Sequence, residues 1–305
     1  MTFTVVAFYH FTNLHDYKNL KSPLLDMCEL LGIKGTILLA SEGINGTIAG
    51  TNIAIKQLME YLQQDLRLKN LEYKSSICKE MPFYRMKVRI KKEIVTMGIA
   101  DINPNSIVGT YVEAKNWNKV IRDPDVVLID TRNDYEVEIG SFEGSINPET
   151  RNFREFPAWV ENNREKLKNK KIAMFCTGGI RCEKASSYMK KNGFEDVFHL
   201  KGGILKYLET QPQKESLWNG DCFVFDQRVA VKHGLEESDY DQCFACRYPI
   251  TDEDKISPEY TKGISCPRCY NIMTKEQQKG FAERQKQIEL SKTRGETHLG
   301  RKGKQ

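Results

Sequence analysis

The hydrophobic and polar positions of this chain run in two rhythms, and the changes between them divide it. In the first hundred residues, alternation of apolar and polar positions predicts strands at Thr4–His10, Gly35–Leu39 and Thr47–Ala49, with two more near Leu71–Cys78 and Met86–Met97. Helical spacing over Asn13–Leu31 and Asn52–Leu66 predicts two helices between them. That order points to an α+β unit over residues 1–100, a ferredoxin-like or acylphosphatase-like sandwich with helices on one face of a mainly antiparallel sheet. Ser41–Thr47, with Gly43 and Gly46, reads as a hairpin turn in which Glu42 and Asn45 are either plain turn residues or part of a binding loop. In the last strand Arg85, Lys87, Arg89 and Lys91 alternate with Met86, Val88 and Ile90, which puts the cations on one face. A charged face of this kind is either solvated or opposed to a polyanion; these like charges repel, and no acid interrupts them before Glu93.

Residues 101–120 predict a linker holding a short helix, Tyr111–Val120. Over 121–215 an apolar strand, Lys171–Phe175, leads into a helical pattern from Cys182 to Asn192, and Gln211-Pro212-Gln213 marks the next boundary. The remainder, 216–305, holds a β-like segment from Trp218 to Val229, a cysteine-rich stretch, a helix over Lys275–Ser291 and a basic tail, Gly300–Gln305.

A chain of 305 residues suits two or three domains. Apolar runs such as Ile37–Ala40 fall far short of the ~20 residues a membrane helix needs, and the alternating start lacks the basic segment of a secretion signal. A cytoplasmic protein with no membrane contact is therefore expected. Its nine cysteines, an odd number, fit thiol or metal chemistry better than a disulfide framework. The excess of 46 basic over 41 acidic residues is mild, but nine Lys or Arg against four Glu lie from Asn271 onward. With the Arg85–Lys91 face, that supports an RNA partner.

The candidate chemistry centres on Cys176-Thr177-Gly178-Gly179-Ile180-Arg181, between an apolar strand and a helix. A loop so placed turns its amides inward and, with the helix dipole, stabilises an anion at Cys176; the glycines permit the curl and Arg181 adds fixed charge. The thiol should then ionise below its free value, the alternative being an inert cysteine buried at a strand end. Cys182 is either a core residue or a thiol able to resolve an oxidised Cys176.

Cys243-x2-Cys246 and Cys266-x2-Cys269, nineteen residues apart, form two knuckles whose spacing suits tetrahedral thiolate coordination of a structural zinc, ahead of free thiols or redox pairs.

The Cys176 loop resembles that of rhodanese-type sulfurtransferases, in which the cysteine carries a persulfide. Val126–Asp130 with Thr131-Arg132, then Tyr135-Glu136, Gly140–Asn147 and Val197–Ile204, resemble further parts of that parallel-sheet α/β domain, and imply a supporting part for Asp130 and Arg132. The usual His of the Gly-His segment is absent. Phosphatases of the same fold carry Cys-x5-Arg; the spacing here is Cys-x4-Arg, which favours sulfur or oxygen chemistry over phosphate ester hydrolysis.

Taken together, Ser41–Thr47, Cys176–Ala185, Cys222–Asp226 and Glu283–Leu290 resemble the bacterial tRNA uridine hydroxylase family along nearly the whole chain. The resemblance implies oxygen-dependent formation of 5-hydroxyuridine at the wobble position, with molecular oxygen as co-substrate, Cys176 essential and the tRNA anticodon arm as partner. Stacking of its splayed bases on Tyr84 or Phe83 would be in keeping. A persulfide carrier serving tRNA thiolation would use the same Cys176 and stands as the alternative. No haem, flavin or non-haem iron motif is visible, so no organic cofactor is expected, and the reductant and the oligomeric state stay unassigned.

Overall fold

Alternation decides the first domain's layers. The computed structural model describes residues 2–294, and the basic segment Gly300–Gln305 lies outside them. Strands β1 (Phe3–Phe11), β2 (Lys34–Ala40), β3 (Gly43–Gly50), β4 (Tyr73–Cys78) and β5 (Met86–Ile90) form one sheet in the order β4-β1-β3-β2-β5, with helices α1 (Lys21–Leu30) and α2 (Asn52–Gln63) against it. The sheet is antiparallel except where β5 lies parallel to β2. Val6, Phe8, Ile37, Leu39, Ile44, Ile48 and Val88 point to one face and share a core with Leu24, Cys28, Ile55, Leu58 and Leu62 of the helices. Each such side chain contributes about 1.5–3 kcal/mol by leaving water. Ala7, Tyr9, Leu38, Asn45 and Lys74 stand on the opposite face, which lines a cleft against the rest of the chain. This is the acylphosphatase-like sandwich that the pattern predicts.

Three boundaries differ from expectation. The first helix starts only at Lys21, because Leu14, fully buried, is tied by its amide to Ser41 O and holds the preceding segment in turns. Gly43 and Gly46 belong to β3, and the turn is Ser41-Glu42 alone. Gly46 pairs with Phe8 across β1, and a Cβ there would come 2.6 Å from the Phe8 ring. The last strand ends at Ile90, after which the chain crosses to the second domain.

That domain has a four-stranded parallel sheet of β6 (Thr110–Val112), β7 (Val126–Asp130), β9 (Lys171–Phe175) and β10 (Val197–Leu200), in the order β6-β10-β9-β7. In chain order α3 (Ala114–Ile121) follows β6; α4 (Asp134–Val137), β8 (Gly140–Phe142), α5 (Phe156–Asn162) and α6 (Arg164–Leu167) lie between β7 and β9; α7 (Ile180–Lys191) and α8 (Gly203–Thr210) flank β10. The expected linker over 101–120 thus supplies an edge strand and a helix, anchored by the fully buried Trp117.

Residues after 216 also pack onto this domain. β11 (Trp218–Gly220) pairs with β8, and Trp218, Cys222, Val224, Val231 and Leu235 share the core of Phe142, Phe175 and Leu200. Phe142 meets Phe175, Tyr207 and Trp218 edge-on at centroid distances of 4.8, 4.8 and 5.2 Å, so this segment, with β12 (Cys222–Phe223) and β13 (Ala230–Val231), completes the second domain. The last region is small: β14 (Asp241–Gln242), β15 (Pro249–Ile250), α9 (Asp252–Ile256) and α10 (Lys275–Thr293). Among the described residues no helix is long and apolar enough to cross a membrane.

Candidate active site

Cys176 follows the last residue of β9 and precedes α7 by one tight loop. Gly179, the residue before α7, has φ of 101°, a conformation strained for any side chain, and a Cβ on it would stand 2.9 Å from Tyr9 Oη. Its N–H turns back and donates to Cys176 Sγ at 3.1 Å. Burial pushes the thiol up; hydrogen bonds from Cys182, the charge of Arg181 and the amides of Cys182 and Gly179 outweigh it and hold Cys176 well below the usual thiol range. Cys182 is moved the other way, by burial and by the neighbouring Cys176 charge, and so stays protonated as the donor. Thr131 Oγ1 lies 3.2 Å from Cys182 Sγ. Cys182 is thus a partner of Cys176 within the site.

Arg181 is less free than the sequence suggests. Its guanidinium donates to both oxygens of Glu136, at 2.6 and 2.7 Å, and Thr177 Oγ1 donates to the same carboxylate at 3.2 Å. Asp130 and Arg132 pair with each other at 2.6 Å, both fully buried, and Arg132 also donates to the carbonyls of Glu136 and Gly140 at 3.0 and 2.5 Å. They act on the loop at one remove, by holding α4 and with it Glu136.

The first domain supplies the opposite wall. Cys176, Thr177, Gly178, Ile180 and Arg181 line a cleft of about 520 Å³ together with Ala7, Tyr9, Asn45, Lys74 and Phe225. Lys74 Nζ donates to Gly178 O at 2.7 Å and lies 5.1 Å over the Tyr9 ring. Burial pushes this ammonium down to about 8, against the pull of the Cys176, Glu72 and Glu183 charges. Tyr9 Oη donates to Glu183 at 2.9 Å, and burial raises that carboxyl. Sequence reasoning missed Glu136, Lys74, Tyr9 and Glu183. The alternation of β4, which puts Lys74 and Ser76 on one face, was the available signal for Lys74.

Glu42 and Asn45 resolve as structural. Lys184 Nζ bonds Glu42 at 2.8 Å and Glu93 at 2.6 Å, the Ile94 amide donates to Glu42 at 2.7 Å, and Asn45 donates to Ile94 O at 2.9 Å. This network clamps the two domains around the cleft. On the other side Arg228 donates to Ser76 Oγ at 2.7 Å.

The basic strand lies at the sheet edge. Val88 faces the helical core, so Arg85, Lys87 and Arg89 share the cleft face; Arg85, Arg89 and Lys91 are exposed and Lys87 half-buried. Burial and the Arg85 and Arg89 charges lower the Lys87 ammonium, and among the described residues none of the four forms an ion pair. Phe83 packs against Val5, Ala49 and Cys78, whereas Tyr84 is exposed.

Cys243, Cys246, Cys266 and Cys269 come together, with sulfur atoms all within 4.8 Å of one another and sulfur pairs at 3.7 to 3.9 Å. The group could hold one metal ion. Arg284 of α10 donates to Phe244 O and Gly263 O at 2.6 and 3.1 Å and ties the helix to the knuckle turns.

Iodoacetamide should label Cys176 before Cys28 or Cys78, because burial pushes Cys28 up to about 12 and raises Cys78 as well. The thiolate is lost as pH falls through the thiol's pKa, so a depressed value keeps Cys176 labelling on its plateau through neutral pH, where an ordinary thiol is already slowing. Arg181→Gln should shift the fall to higher pH. Peptide mass spectrometry across pH is the check, and earlier labelling elsewhere would contradict it.

Comparison with known proteins agrees with the two domain folds. Residues 3–94 match the UPF0176 acylphosphatase like domain and residues 113–210 the Rhodanese-like domain. A tRNA uridine(34) hydroxylase of Teredinibacter turnerae is 57% identical over 298 residues, covering 98% of this chain and 93% of that protein. Among solved structures, a protein of unknown function from Rhodopseudomonas palustris, described as a possible tyrosine phosphatase, is 25% identical over 34% of this chain and 82% of its own, with a TM-score of 0.30. A rhodanese-related protein from Thermoplasma volcanium is 24% identical over 33% and 93%, with a TM-score of 0.26.

Proposed function

This chain belongs to the tRNA uridine(34) hydroxylase family, and on that premise we propose that it converts the wobble uridine of tRNA to 5-hydroxyuridine, with molecular oxygen as co-substrate and Cys176 as the reacting residue. The likeness along 98% of the chain carries this reading. The site supports it: a thiolate kept ready by the Gly179 and Cys182 amides, at the wall of a cleft whose volume suits a small aromatic ligand. Arg181 stabilises the anion, Glu136 holds Arg181, and Thr177 to Ile180 form the turn. Cys182 donates to Cys176 and would resolve its oxidised forms. The enzyme works in the cytoplasm, on the anticodon arm of tRNA.

Arg85, Lys87, Arg89 and Lys91 bind tRNA phosphates beside the cleft. Neutralising the first three together should weaken tRNA binding and flatten its salt dependence, since each lost phosphate contact removes roughly 0.7 to 0.9 from the log–log slope. An unchanged slope would make the strand a solvated face.

The four cysteines hold a structural zinc. A tetrahedral ion with bonds of about 2.3 Å to sulfur requires sulfur atoms about 3.8 Å apart; three of the pairs here stand 3.7 to 3.9 Å apart, and all lie within 4.8 Å. Four thiolates close the coordination shell, so such an ion would fix the fold of the last region and take no part at Cys176. Elemental analysis of protein purified without chelator should return about one zinc per chain.

A further inference from the structure

A second cleft, of about 670 Å³, runs from the Cys176 cleft to the four-cysteine region. The two meet where Thr36, Phe83, Phe225 and Asp226 line both. One wall is the start of β5, with Tyr84, Arg85 and Lys87; the other is the first cysteine knuckle, with Phe244 and Arg247. Phe225 stands at the junction, 57% exposed, and Tyr84 is 45% exposed. Exposed aromatic faces lining a groove offer stacking surfaces to a planar ligand.

The charges say what covers them. Arg85, Lys87 and Arg247 face the groove and, among the described residues, none is in an ion pair. The carboxylate in the lining, Asp226, is already taken by Arg228 at 2.6 Å. Arg247 lies 5.6 Å over the Phe244 ring, and a flat cation beside a ring adds a second stacking surface. A groove with unpaired cations and alternating aromatic faces suits a strand whose phosphates and base faces are both exposed, which is single-stranded RNA and not a duplex.

We propose that this groove seats the unpaired nucleotides next to the target uridine, so that the four-cysteine region is the second jaw of the RNA site and the two clefts together guide one base to Cys176. The region is fixed for that task. Arg268 bonds Glu138 at the end of α4 and lies 3.8 Å over the Tyr248 ring, while Tyr248 meets Tyr135 edge-on at 5.3 Å. The jaw therefore rests on the same short helix that presents Glu136 to Arg181. This inference rests on the hydroxylase reading for the identity of the RNA, but its test does not.

The test uses the full chain carrying Cys176→Ser, so that binding is read without turnover. The probes are a fluorescent RNA stem-loop with an unpaired uridine-containing loop and a closed RNA duplex of equal length, followed by anisotropy. Tyr84→Ala, Phe244→Leu and Arg247→Gln should each weaken stem-loop binding at least about fivefold while leaving duplex binding within about twofold. Tyr84 is exposed and lies outside the cysteine region, so its variant reports on the groove even if a knuckle variant fails to fold. Stem-loop binding equal to the parent's in Tyr84→Ala and Arg247→Gln would overturn the proposal, as would an equal loss for stem-loop and duplex. Selective loss with no uridine modification by the unmutated chain would uphold the groove and overturn the hydroxylase reading alone.

Discussion

Cys176→Ser should abolish wobble-uridine hydroxylation, a loss of roughly a thousandfold or more, while tRNA binding stays within about twofold of the parent. The hydroxyl is close in size to the thiol, so packing around this fully buried position changes little. What changes is the charge. The Gly179 amide, the Cys182 donors and Arg181 all favour an anion at that atom, and a serine hydroxyl does not ionise near neutral pH. The proposed phosphate contacts, Arg85 to Lys91, lie on another domain and are untouched. Binding titrations beside single-turnover assays on the same tRNA separate the two effects, and residual turnover near the parent's would show that the chemistry lies elsewhere.

The largest structural effect is expected at Glu136. Its carboxylate accepts from Arg181 twice, from Thr177 once and from the Asn133 amide once, and it is fully buried. Glu136→Ala leaves a buried guanidinium without its partner, which costs about 3–5 kcal/mol, read as a lower urea midpoint. The Arg181 charge would also lose its fixed position beside Cys176. Replacing both, Glu136→Leu with Arg181→Met, should recover much of the stability without the activity, because no unpaired charge is then buried. A single-variant loss below about 1 kcal/mol would mean that water or another group relieves Arg181.

The Cys176 loop was legible because its chemistry is local: strand, thiol, two glycines and a cation lie within one turn of chain. The first sandwich was legible because its strands alternate and its helices repeat. What escaped depends on distance along the chain. Lys74 reaches Gly178 across 104 positions, and nothing in the sequence near either residue marks the other. Glu136 sits in a stretch whose family resemblance was plain, yet its role depends on the fold of α4 against the loop. The edge strand inside the expected linker over 101–120 and the packing of residues after 216 escaped for one reason: strands as short as Thr110–Val112 and Trp218–Gly220 are too brief to show a period and are held by Trp117, Trp218 and Phe142. Gly46 misled in the opposite sense, since its absent side chain serves a neighbouring aromatic ring and no turn.

The most direct test is nucleoside mass spectrometry of tRNA from cells that lack other wobble-uridine hydroxylases, carry this chain or its Cys176→Ser variant, and are grown briefly under isotopically heavy molecular oxygen. The expected result is 5-hydroxyuridine at the wobble position with one heavy oxygen atom when the chain is intact, and plain uridine in the variant. Sulfur in place of oxygen at that nucleoside, or labelled 5-hydroxyuridine in the variant, would contradict it.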